Sequence, residues 1–128
     1  MATGKQPPKI TLEPAGKPLR VEFGGETLVE TDGALILREG SLPPVLYVPK
    51  ADVRWDLTEA TDRSTHCPYK GDAQYWSVSA NGKTAENAIW SYPQPIDSVA
   101  QIANCVALYW NKMDAWYLGG EHLPEPAF

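Results

Sequence analysis

The run His66-Cys67-Pro68-Tyr69-Lys70-Gly71-Asp72-Ala73-Gln74-Tyr75-Trp76 gathers a thiol, an imidazole, an ammonium, a carboxylate and three aromatic rings. Pro68 and Gly71 punctuate it, so it reads as a tight turn feeding a strand. Cys67 is the first candidate for chemistry, as a nucleophile. Pro68 holds it in extended backbone, and Lys70 is near enough in sequence to favour a thiolate if the two side chains converge. His66 is adjacent, but on extended backbone neighbouring side chains point apart, which weakens a His66–Cys67 dyad. A small buried thiol is the simpler reading, because free cysteine is among the most buried residue types. Lys70 is the second candidate. Set between a ring and a turn glycine, it can hold an anionic ligand as a point charge, or it can close the turn by pairing with Asp52, Asp72 or Glu86.

Tyr47, Tyr75, Trp90 and Tyr92 would give a cleft both apolar area and directed hydroxyls. On strands of a small β protein such rings more often fill core. Glu86 is the sharper case. A carboxylate on an aromatic-bearing face must be hydrogen-bonded, paired with Lys70 or Arg54, or solvated in a pocket. The expected ligand-binding set is therefore Tyr47, Arg54, Lys70, Tyr75, Glu86 and Trp90, with Cys67, Lys70 and Glu86 as catalytic candidates. No metal site and no cofactor are expected, since His66, Cys67, Cys105 and His122 lack the paired spacing of a zinc knuckle.

The elements that must position these residues read as strands. Arg20–Phe23 and Glu26–Glu30 flank Gly24-Gly25, a two-residue hairpin signal that sets Phe23 against Glu26 and Val21 against Leu28. Asp32-Gly33 then turns the chain into Ala34–Arg38, making a three-stranded meander that also sets Glu26 against Glu39. Val45–Val48 is a further strand stopped by Pro49, which can start a helical turn through Lys50–Val53. Trp55–Thr58 looks extended and leads into a polar loop from Glu59 to Thr65. The clearest element is the hairpin Asp72–Ala80, Asn81-Gly82, Lys83–Tyr92, whose Asn-Gly turn pairs Ala80 with Lys83. Counting back sets Tyr75 against Ala88, Ala73 against Trp90, Gln74 against Ile89 and Ser77 against Glu86. Asp97 or Ser98 can cap a short helix through Ala103, followed by a strand from Cys105 to Trp110.

Composition bounds the whole. The chain has 128 residues, enough for one domain with a real core. Residues 1–18 read as a flexible Pro/Gly-rich tail with one short strand near Ile10–Glu13. Residues 19–120 read as a single mainly β domain, and 121–128 as a C-terminal tail. The net charge of −5 argues against nucleic acid or an anionic membrane as partner. No apolar run suggests a transmembrane helix or a signal peptide, and with two unpaired cysteines the expected setting is cytoplasmic.

The chain from about Arg20 to Leu118 resembles a bacterial family, domain of unknown function 427. The carrying segments are Tyr47-Val48-Pro49-Lys50-Ala51-Asp52-Val53, Thr65 through Trp76, and Ala88-Ile89-Trp90-Ser91-Tyr92-Pro93. The resemblance implies a compact, mainly β fold of bent antiparallel sheets with one or two short helices. A nucleotidyltransferase label attached to the family would need carboxylates spaced closely on a strand to hold Mg²⁺. Asp56, Glu59 and Asp62 stand three apart instead, and no D-x-D follows Gly40-Ser41. The expected function is binding of a small polar or anionic molecule in a cleft between the central hairpin and the Tyr47 strand. The alternatives are an enzyme, by thiol or acid–base chemistry or by nucleotidyl transfer, and a protein-interaction module. An exposed sheet edge also leaves a homo-oligomer open.

Overall fold

The computed structural model describes residues 9–125, without the side chain of Ser98. The outer parts of both expected tails, residues 1–8 and 126–128, lie outside it, as does any capping by Ser98. The described residues form eleven strands: β1 (Ile10–Pro14), β2 (Leu19–Phe23), β3 (Glu26–Thr31), β4 (Leu35–Glu39), β5 (Val45–Pro49), β6 (Thr58–Cys67), β7 (Gly71–Ala80), β8 (Lys83–Ser91), β9 (Cys105–Leu108), β10 (Ala115–Leu118) and β11 (Glu121–His122). One antiparallel sheet runs β1-β4-β5-β9-β8-β7-β6, and a smaller one runs β11-β10-β2-β3. Among the described residues helix is confined to short 3-10 turns, the longest being Asp97–Asn104, which breaks helical geometry at Val99. The mainly β, antiparallel reading holds. Among the described residues no helix is long and apolar enough to cross a membrane.

Burial follows the alternation of side chains along the strands. Ile36, Leu46, Val48, Val78, Ile89, Val106 and Leu108 of the large sheet pack on Leu19, Val21, Phe23, Leu28, Val29 and Trp116 of the small one. The opposite face of the large sheet carries a second cluster of Leu37, Tyr47, Ala73, Tyr75, Tyr92 and Ala107, roofed by Val99 and Ile102 of the 3-10 segment. The large sheet is thus covered on both faces.

That double cover overturns the meander. After Asp32-Gly33 the chain leaves β3, and β4 inserts into the large sheet between β1 and β5. The reason is legible in its residues. Leu35 and Leu37 point one way and Ile36 the other, so the strand has apolar side chains on both faces and belongs inside a layered sheet. The expected Glu26–Glu39 juxtaposition disappears with it. The Gly24-Gly25 hairpin forms with Phe23 against Glu26, but Leu28 is an extra residue, so Val21 faces Val29. The segment Trp55–Thr58, expected to be extended, begins with a 3-10 turn at Trp55–Leu57. The polar Glu59–Thr65 stretch, expected to be a loop, lies within β6, the edge strand beside β7. Its threonines favour extended backbone, and an edge tolerates its charges.

The central hairpin keeps its Asn-Gly turn and its Ala80–Lys83 pair, but the register slips farther along. Glu86, Asn87 and Ala88 together face Ser77, so Tyr75 lies against Trp90 and Trp76 against Ile89. Asn87 takes φ +50° in this bulge. A matching bulge in β6 sets Thr61, Asp62 and Arg63 opposite Tyr75. Thr61 Oγ1 donates to Asn87 Oδ1 across β7 at 2.5 Å, and the Asn87 amide donates to Ser77 Oγ at 3.0 Å. The two bulges are thereby tied together.

Candidate functional site

On the second face of the large sheet lies a cavity of about 220 Å³, lined by Leu37, Glu39, Leu42, Pro43, Val45, Tyr47, Lys70, Tyr75, Trp90, Tyr92 and Tyr109. Its walls come from strands distant in sequence: β4, β5, β7 and β8, with Tyr109 just after β9. The register slip matters here, because it brings Trp90 level with Tyr75 rather than with Ala73. Tyr47 meets Trp90 edge-on with ring centroids 6.5 Å apart, and Trp90 leans on Tyr109 at 4.5 Å.

Lys70 reaches this cavity from the turn between β6 and β7. Its amide donates to the Cys67 carbonyl, and its own carbonyl accepts from Ile96. The following Gly71 has φ +120°, and a Cβ there would stand 3.1 Å from the Gln94 carbonyl oxygen. Only a glycine lets the Pro93–Ile96 crossing lie so close to the turn. Held this way, Lys70 Nζ donates to Glu39 Oε1 at 2.5 Å, with both side chains nearly buried (13% and 10% exposed). The ammonium also stands 5.9 Å from the Tyr92 ring centroid. The partner of Lys70 is thus Glu39, rather than Asp52, Asp72 or Glu86.

The cavity phenols are unequal. Burial pushes Tyr47 above the ordinary phenol range, and burial does the same to Tyr92, aided by the nearby Cys67 and Tyr75. Burial also opposes ionisation of Tyr75, but hydrogen bonds from Thr65, Tyr109 and Arg63, with the guanidinium charge, carry its phenol below the ordinary value. Thr65 Oγ1 and Tyr75 Oη share a hydrogen bond of 2.9 Å. The Arg63 guanidinium lies 4.9 Å from the Tyr75 ring centroid, placed there by the β6 bulge. Tyr109 is raised, by burial first and then by its bond to Tyr75.

Of the expected site residues, Tyr47, Lys70, Tyr75 and Trp90 converge on this cavity. Half-buried Cys67 packs beside them. Arg54 does not join them. It is exposed, holding Asp56 through two bonds of 2.9 and 2.8 Å and standing 3.6 Å from Glu26. Glu86 also stays away: the β8 bulge turns it into a polar groove with Thr58, Thr61, Ser77 and Thr84. His66 faces solvent and contacts Asp72 at 2.7 Å. Cys105 is buried, which raises its thiol, and its Sγ lies 3.8 Å from the Gln101 carbonyl. Glu39, Arg63 and Tyr109 were missed. Glu39 continues the Leu35, Leu37 parity and so could have been placed on the core face. Arg63 depends on a bulge, which alternation does not signal.

Asp56, Glu59 and Asp62 lie along the same polar groove as Glu86. Among the described residues, no three His, Cys, Asp or Glu side chains are grouped to hold a metal ion.

The fold and its cavity define a mainly β domain with an aromatic, ion-paired hollow on one sheet face. The family described as Domain of unknown function (DUF427) matches residues 11–119, and the chain belongs to it. No curated protein matches the chain.

Proposed function

We propose that the protein binds a small polar or anionic molecule in the cavity between β5 and the central hairpin. The carrying observation is the concentration of four tyrosines, a tryptophan and a nearly buried Lys70–Glu39 pair around about 220 Å³. Ligand sites combine apolar walls with a few convergent polar groups in this way. A benzene-sized guest needs a hollow of only about 150 Å³. Two free thiols suit a reducing, cytoplasmic setting. A fragment library of polar aromatic compounds, followed by NMR on the full chain, tests the reading. Binders should shift the Trp90 indole and Tyr47 signals and persist in Cys67→Ser. Hits confined to other surfaces, or none, would overturn it.

One observation favours an enzyme as second reading: Cys67 is only half-buried and packs beside the cavity tyrosines. In a Cys105→Ala background, rapid alkylation with an apparent pKa well below ~8.5 would support a nucleophilic thiolate. Protection until unfolding would eliminate it.

A further inference from the structure

The acid and the base in the cavity lining cancel. They are Glu39 and Lys70, which neutralise one another at 2.5 Å. Burial keeps the phenols of Tyr47 and Tyr92 protonated, so these rings add hydroxyls and no charge. A charged guest would leave a charge without a partner in a nearly dry place, or would have to pull the pair apart. The pair is nevertheless only partly used. Lys70 Nζ has three donors and the Glu39 carboxylate has two oxygens, and among the described residues they make one side-chain hydrogen bond, between Nζ and Oε1. A charged donor and a charged acceptor thus stand side by side at the wall, each with capacity left. Hydrogen bonds to charged groups are the strong ones. Leu37, Pro43, Val45 and ring surface supply the apolar lining, and exposed Leu42 carries it outward.

Resting on the reading that the cavity binds a small polar molecule, we infer that it selects a flat, uncharged ring containing a cis amide, a lactam of the pyridone type. The amide carbonyl accepts from Lys70 Nζ and the amide N–H donates to the Glu39 carboxylate. Two adjacent atoms of one group thereby meet both unused capacities. The ring lies among Tyr47, Trp90 and Tyr92. A single ring fits in about 150 Å³, and the hollow of about 220 Å³ leaves space for a small substituent. The same pair gives the converse selection. A lactam with a blocked nitrogen brings no donor to Glu39. A carboxylate meets Glu39, and an amidinium meets Lys70, as a like charge.

The probes 2-pyridone, N-methyl-2-pyridone, benzoate and benzamidine, titrated separately into the full chain and followed by two-dimensional NMR, separate the outcomes. Pyridone should shift the Trp90 and Tyr47 signals at concentrations about tenfold or more below those of the other three. The cavity has space for the added methyl group, so the N-methyl loss reads the missing donor. Replacing both Glu39 and Lys70 with methionine strands no buried charge, so that double variant should fold. It should lose the difference between the two pyridones. The comparison of the two pyridones on the parent decides without any variant. Equal binding of both by the parent, tighter binding of benzoate or benzamidine, or a preference for 2-pyridone that survives in the double variant would overturn the lactam inference while leaving the cavity reading intact. No shift at Trp90 or Tyr47 with any probe would overturn both.

Discussion

Removing Lys70 alone leaves the Glu39 carboxylate in a nearly dry place, which makes Lys70→Met the most informative perturbation of this molecule. Methionine keeps the length and apolar stem of lysine while deleting the ammonium. With both partners only about a tenth exposed, the pair behaves as a buried one. Deleting one partner of such a pair costs about 3–5 kcal/mol, whereas replacing both with apolar groups is often neutral or stabilising. Residual exposure argues for the lower end, about 3 kcal/mol. With an unfolding entropy of about 2 cal/mol/K per residue, that corresponds to a Tm lower by about 11 °C. The double variant Glu39→Met/Lys70→Met should recover most of the loss. Urea unfolding of the parent, both single variants and the double gives the coupling energy directly. A Lys70→Met loss below ~1 kcal/mol, or a double variant no more stable than the worse single, would refute the assignment of a buried, mutually dependent pair.

Gly71→Ala should cost about 1–3 kcal/mol, because φ is +120° and the new Cβ would press on the Gln94 carbonyl oxygen; the urea midpoint reads it, and an unchanged midpoint would contradict that crossing. Asn87→Val should destabilise by about 1–2 kcal/mol, while Asn87→Gly should lose less, since only the first suffers at φ +50° in the β8 bulge. Tyr47 and Tyr92 are held above the ordinary phenol range, so their contribution is fully present below pH ~10 and is lost as pH rises beyond it. Melting temperatures between pH 8 and 11 should therefore fall steeply only at the alkaline end, and less steeply in Tyr47→Phe.

Local signals carried much of the fold. Asn81-Gly82 and Gly24-Gly25 mark two of the hairpin turns, Pro49 ends β5, and the Cys105 segment follows a short helical turn as a strand. Sheet membership of β4 was lost because Asp32-Gly33 resembles a hairpin turn, although the two-sided apolar pattern of Leu35, Ile36 and Leu37 pointed to a covered sheet. The site was half legible for a related reason. Tyr47, Lys70, Tyr75 and Trp90 are close in space because strand order brings β5, β9, β8 and β7 side by side. Their chemistry, however, is set by Glu39 and Arg63, which arrive through a long-range pairing and a bulge. Glu86 missed the cavity for the same cause: two additional residues in β8 shift it along the hairpin, into the polar groove beside Ser77 and Thr84.

The β6 bulge has a consequence for molecules in a crowd. The strand runs ten residues along the open border of the large sheet, and its many threonines would suit it to recruit a neighbouring chain. The three residues from Thr61 to Arg63 break that border into regular runs of three and four positions. Such a bulge bends and over-twists the strand, so an incoming chain finds no long straight row of free amides and carbonyls. The kink that sets Arg63 over the Tyr75 ring thereby also disfavours strand addition along this edge.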